Sequence, residues 1–277
     1  MSEFLSALCH YPFLQYALGA GLLASVSCGV VGSLVVVRRI SYLAGAIAHS
    51  VLAGLGAARW MQVVLGWQWA HPLLGAVVAA LAAAAVMGLV SLKAREREDT
   101  VVSALWAVGM AVGLMFMAAT PGYATDLMAY LFGDILMVTP QQLWVMAGLD
   151  LVVVGLVVVF YHPLLLVCFD EEFARLRGLK VELWFLLLLG LVALTVVILA
   201  AVVGLVMVIA LLTLPAGAAS RWGHRLGGIM AGAVVLSAAF TTLGLGLSYG
   251  PDLPAGACII VLAGAAYLAA AALVRPR

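Results

Sequence analysis

His49 lies in RRISYLAGAIAHSVLAG, within an apolar stretch able to enter a bilayer. An ionisable group at membrane depth is costly, so it marks a candidate functional site. Neutral imidazole is also a good ligand for zinc and similar ions. The plainer alternative is a buried histidine bonded to a backbone carbonyl. Position 45, one helical turn earlier on the same face, is glycine, so no second ligand comes from there. Asp126, Tyr130 and Asp134 recur at i, i+4 and i+8 in DLMAYLFGDIL, on one face if the segment is helical. Two carboxylates on that face could receive a hydrated dication, and Asp126 could equally cap a short helix. Asp150 falls near the middle of another apolar run, where it must face the bundle or carry a proton. The metal-ligand candidates are therefore His49, Asp126, Asp134 and Asp150.

A second cluster has a different chemistry. HPLLLVCFDEEFARLRGLK, residues 162–180, carries Asp170, Glu171, Glu172, Arg175, Arg177 and Lys180 between long apolar runs. Phe169, Phe173 and Leu176 at i, i+4 and i+7 form one apolar stripe of a short helix. Acids lead and bases follow, which suits the helix dipole, and Gly178 can end the helix. The segment reads as a docking surface for a soluble partner, or as an ordinary solvated loop.

These residues must be positioned by a membrane domain. The chain of 277 residues is 66% hydrophobic and 9% charged, with a mean hydropathy of +1.23. So few charges cannot solvate the surface of a soluble domain, and the alternation of a barrel is missing. A net charge of +1 with no large basic cluster disfavours nucleic acid. The four cysteines are scattered, which argues for neither a disulfide framework nor a zinc knuckle. HExxH, GxSxG and Walker-type GxxxxGK[ST] motifs are missing, so the chain is read as a non-enzyme that hydrolyses no nucleotide itself.

A spanning helix needs about 20 mostly apolar residues. Hydropathy places nine spans: Leu14–Val37, Tyr42–Trp60, His71–Leu92, Val101–Thr120, Gln141–Phe160, Glu182–Leu199, Val202–Ser220, Leu226–Leu247 and Ala255–Val274. The sixth and seventh almost touch and could be one broken helix, which leaves eight as the alternative. The expected fold is all-α, one polytopic domain over residues 1–277 with eight or nine transmembrane helices and a short cytoplasmic helix. With nine spans, twelve of the 13 Lys+Arg fall on one side, Arg59 being the exception. The positive-inside rule makes that side the cytoplasm, with the N-terminus outside and the C-terminus inside. Trp60, Trp67, Trp69 and Trp144 then mark the outer boundary.

Five stretches, in order from about Leu34 to Gly264, resemble one family: the membrane permeases of bacterial ABC-type uptake systems for zinc, manganese and iron. RRISYLAGAIAHSVLAG resembles its RRMSxxGDxxxHxxLxG segment, and DLMAYLFGDIL its DLxxYLFGxIL. FDEEFARLRGL is similar to its coupling segment, VGLVMVIALLTLPAGAASR to VGxLLVxALLxxPAxxAR, and GLSYGPDLPAGACIIVLAG to GLxxSYxxDxPxGxxIVL. The resemblance implies a homodimer in the bacterial inner membrane. It would carry ATP-binding subunits on the cytoplasmic face and receive metal from a binding protein outside. The chain itself would hold no cofactor, only the transported ion. By position, His49 matches the family's intramembrane histidine and Asp126 its acid before YLFG. Asp170, Glu171, Glu172, Phe173, Arg175 and Gly178 fall in the ATPase-coupling helix. Gly45 replaces the family's aspartate one turn before the histidine. DLMAYLFGD leans toward the zinc branch, with manganese or iron as alternatives. A carrier driven by an ion gradient is the rival class, and it would need more intramembrane acids than are present.

Overall fold

The computed structural model describes residues 2–93, 98–121, 133, 135–251 and 253–273. Among these the chain is mostly helical, with one 3-10 turn at Ile135–Met137 and no strand. The helices are α1 (Ser2–His10), α2 (Pro12–Arg38), α3 (Ser41–Val64), α4 (Pro72–Lys93), α5 (Glu98–Ala118), α6 (Pro140–Val159), α7 (Tyr161–Phe169), α8 (Glu171–Leu176), α9 (Val181–Val203), α10 (Leu205–Ala219), α11 (Leu226–Tyr249) and α12 (Ala255–Leu273). Eight of them, α2–α6, α9, α11 and α12, are long and apolar enough to cross a membrane.

The expected seventh span differs. Its helix α10 has 15 residues, a rise of about 22 Å, which is short of a hydrocarbon core of about 30 Å. Gly204, at φ 83°, separates it from α9, a backbone conformation open to glycine and strained for other residues. The two helices are therefore distinct, and among the described residues α10 stands as a shorter apolar helix beside the eight long ones. The break sits inside the protein, since Val203 and Leu205 are both buried. Gly133, also in the left-handed region at φ 70°, presses directly on the backbone of Val203 and Gly204.

Helix α2 is the hub, packed by α11, α10, α6 and α9, while α3 is sandwiched between α4 and α5. Helices apolar on every side cannot sort themselves by an amphipathic stripe. Close approach at small residues does the sorting instead. Gly54 of α3 and Gly75 of α4 face each other so closely that a Cβ on either would run into the other's carbonyl oxygen. On the opposite side of α3, a Cβ at Gly109 of α5 would stand 2.8 Å from Ser50 Cα, and one at Gly113 2.7 Å from Leu52 C. The Ser50 hydroxyl donates to the Ala46 carbonyl at 2.9 Å and reaches the Leu105 carbonyl at 3.5 Å, a polar link across the same seam.

Packing collects Arg38, Arg175, Arg177, Lys180 and Arg221 at one end. Arg38 at the end of α2 lies over the Phe185 ring of α9. Arg221, after α10, lies over Tyr267 near the end of α12. The C-terminal turn of α2, with Val36 and Val37, packs beside Ile229 near the start of α11. Arg175, Arg177 and Lys180 sit at the same end, between α7 and α9. Trp60, Trp67 and Trp69 lie at the far end of α3 and in the connection to α4, and Trp144 in the first turns of α6.

The glycine seam makes a direct prediction. Gly54→Val should lower the stability of the detergent-solubilised chain by about 2 kcal/mol, since overpacking forces backbones apart. Gly148→Val, at a position with no heavy atom within 4 Å of the added Cβ, should change it far less. Thermal unfolding of the two variants side by side checks this, because both carry the same helix-propensity cost.

Candidate metal site and coupling segment

His49 sits on the α5-facing side of α3, half-buried. Its Nδ1 lies 2.8 Å from the Gly45 carbonyl oxygen, one turn back. A carbonyl only accepts, so Nδ1 is the donor, and in a neutral imidazole Nε2 is then the nitrogen with the lone pair. The backbone bond of the plainer alternative is therefore present, and a bond of this kind fixes the orientation of a histidine ring. The imidazole stacks on the Trp106 indole of α5, with ring centroids 4.4 Å apart and planes 29° apart.

The other expected ligands are not gathered around it. Asp126 and Asp134, with Tyr130, lie outside the described residues. Asp150 of α6 is buried, 4% exposed, but at a different interface. It faces Ser27 and Cys28 of α2. Its carboxyl oxygens have the Ser27 hydroxyl as the polar group beside them and are otherwise unpaired among the described residues. It faces the bundle, as an acid at that depth must. Among the described residues no three His, Cys, Asp or Glu side chains form a group able to hold a metal ion.

A cavity of about 560 Å³ opens at the tryptophan end, between the starts of α4 and α6 and the end of α9. His71, Thr139, Gln141 and Gln142 give it polar groups, and Ile198 and Val202 form apolar wall. Leu55 also lines it. That residue is six positions beyond His49 on α3, a rise of about 9 Å. His71 was not singled out by sequence reasoning, because a lone histidine at a helix start carries no spacing signal.

The segment 162–180 forms the expected short helix. Asp170 caps α8, its Oδ1 accepting from the Phe173 amide at 2.9 Å. Gly178, at φ 78°, ends it, and the Leu179 amide returns to the Ala174 carbonyl at 3.1 Å. The apolar stripe points outward: Phe169, Phe173 and Leu176 are 59%, 41% and 86% exposed, and Ala174 is the residue that packs inside. Glu172 is exposed, and Arg175 reaches Glu182 at 3.6 Å. Glu171 is turned the other way. Its carboxylate accepts from the Arg38 guanidinium at the end of α2. The ion pair therefore ties α8 to the hub helix. Arg38 was overlooked as a functional residue because its partner is 133 residues away in sequence.

Comparison with known proteins agrees with this architecture. The model of the ABC 3 transport family matches residues 10–274. This chain belongs to that family. It is a multi-pass membrane protein and a metal ABC transporter permease, a transporter component rather than an enzyme by family. A Chlamydia trachomatis protein named "Probable metal transport system membrane protein" is 39% identical over 92% of this chain and 87% of its own length. The manganese transport system membrane protein MntC of Halalkalibacterium halodurans is 32% identical over 95% of this chain and 88% of its own. The solved structure of PsaBC from Streptococcus pneumoniae in complex with Fab superposes with a TM-score of 0.87 at 27% identity. It covers 99% of this chain and 96% of that one.

If the Arg38–Glu171 pair anchors α8, Arg38→Ala should speed tryptic cleavage at Arg175 and Arg177 about fivefold, the effect of roughly 1 kcal/mol of local opening energy. The double reversal Arg38→Glu with Glu171→Arg should bring the rate back toward that of the parent chain.

Proposed function

We propose that this chain is the membrane-spanning half of an ATP-driven importer that passes a divalent first-row metal ion across the bacterial cytoplasmic membrane. The observation that carries the reading is His49: an imidazole inside the bundle, its Nδ1 held by the Gly45 carbonyl. Family membership supplies the direction of the chemistry and the expectation of a separate ATP-hydrolysing subunit. That subunit would dock on α8, where the outward Phe173 and Leu176 offer apolar anchors. Glu171 would then transmit rather than dock, passing movement of α8 to α2 through Arg38. A metal-binding protein outside would deliver the ion to the tryptophan end, and Asp126 and Asp134 would attract it there. Asp150 remains a secondary candidate ligand. Two copies of the chain would enclose the path, with the N-terminus outside and the C-terminus in the cytoplasm, as the basic end supports.

The cargo has two readings. Relatives such as the Halalkalibacterium protein are named for manganese. Zinc, expected from the sequence, draws no support from those names. It keeps one physical argument, that imidazole nitrogen is a better donor to zinc than to manganese.

The test is metal accumulation in cells co-expressing the chain and its ATP-hydrolysing partner, on a zinc, manganese and iron panel with a hydrolysis-dead partner as control. Uptake of one metal, lost in the control and reduced at least about tenfold by His49→Ala, is the expected result. Uptake that persists in the control would remove the ATP-driven reading, and full uptake by the His49→Ala variant would remove His49 as a ligand.

A further inference from the structure

Every position on α3 that could share an ion with His49 lacks a donor side chain. One turn back stand Gly45 and Ala46, and one turn forward Leu52 and Ala53. Ser50, the next residue, points about 100° round the helix from His49, and its hydroxyl is turned to the Ala46 carbonyl. The space left over Gly45 is filled by Trp106. A Cβ built at position 45 would stand 3.2 Å from Trp106 Cζ3 and 3.4 Å from Cη2. The same ring lies against the imidazole at 4.4 Å. Glycine at 45 and tryptophan at 106 are thus two halves of one arrangement, in which the indole occupies the volume a side chain at 45 would need. The ring cannot easily drift, because one turn further along α5 the backbone at Gly109 is locked against Ser50.

We propose that Trp106 is a specificity-determining residue of the His49 site, one that biases it toward ions that accept few, nitrogen-rich ligands and away from ions that demand an oxygen-rich shell of six. This rests on the proposed role of His49. An indole face offers no lone pair, so no ligand can reach an ion at His49 across the face of the imidazole that the ring covers. Zinc is satisfied by four ligands and takes imidazole readily. Manganese favours six-coordinate shells of carboxylate, carbonyl and water. Binding a cation at Nε2 also makes the imidazole more positive, which strengthens its attraction to the indole π-face. The stacked ring therefore rewards the ions that draw most charge from the nitrogen. Trp106 acts through His49 and through excluded space.

The experiment uses the chain co-expressed with its partner subunits and reads the ratio of manganese to zinc accumulated from an equimolar mixture, normalised to the amount of complex in the membrane. Trp106→Leu opens the wall and should raise the ratio about tenfold, the scale of an altered outer shell around a ligating histidine. Trp106→Phe keeps a ring and should shift it much less. Gly45→Ala pushes the indole from the opposite side without altering either ring, and should move the ratio in the same direction as Trp106→Leu. A ratio unchanged in both Trp106→Leu and Gly45→Ala, while His49→Ala abolishes uptake of both metals, would overturn the role of Trp106 and leave the His49 site standing. Undiminished uptake of both metals in His49→Ala would overturn the site itself, a different result from the first.

Discussion

A helix surrounded by hydrocarbon gains little hydrophobic energy by touching another helix, because lipid tails are as apolar as its own leucines. What distinguishes one packing from another here is how closely two backbones can approach. Gly54 against Gly75, and Gly109 and Gly113 against the Ser50–Leu52 turn, bring α4 and α5 onto opposite sides of α3 at contact distances no side chain permits. Dispersion between backbones, summed along such seams, then fixes the register of each pair. The candidate site inherits that register. Trp106 meets His49 because α5 cannot slide along α3 without driving a peptide group into Ser50.

The same constraint explains how α9 and α10 meet without a loop. In a membrane interior every amide and carbonyl needs a partner within the protein. A chain that interrupts a helix there must do so among other protein groups, and the Gly204 break is enclosed by buried Val203 and Leu205 and covered by Gly133. Glycine at 204 and 133 allows the left-handed backbone that a tight change of course requires. The short helix α10 is held on several sides, by α2, α11 and α12 among others. Pro215 within it removes one backbone hydrogen bond.

Hydropathy and charge exposed the spans, their order and the basic end, because those follow from transfer energies that each segment feels alone. Local rules were also sufficient for α8: Asp170 is the cap and Gly178 the stop, both decided within a few residues. The α9–α10 boundary was ambiguous because the run LAAVVGLVMV is apolar across the break, and only the backbone angle at Gly204 tells two helices from one. The stripe of Phe169, Phe173 and Leu176 was legible as a face, but not as an outward one, since periodicity reports which residues share a side and not what covers it. Arg38 with Glu171, and Trp106 with Gly45, are pairings between distant segments. The missing side chain at 45 was visible in the sequence, while the ring that fills its place could be seen only once α3 and α5 were docked.

A transport site must also let its ion go. A cage of three or four protein ligands would hold a transition metal for far longer than a transport cycle, so a translocation path favours sparse and changeable coordination. On the proposed reading His49, with no ligand neighbour one turn away on its own helix, would have that character. The remaining ligands of a bound ion would have to come from other helices or from water, and these can be withdrawn when helices shift. The ion pair between Arg38 and Glu171 joins α8 to α2, and α2 touches α10 and α11 along its length. Movement imposed on the short charged helix would therefore reach the interior of the bundle through a rigid rod rather than through a loop. On the proposed reading, coordination of the ion and the grip of a partner on α8 would be mechanically connected through α2, although His49 and Glu171 belong to different helices.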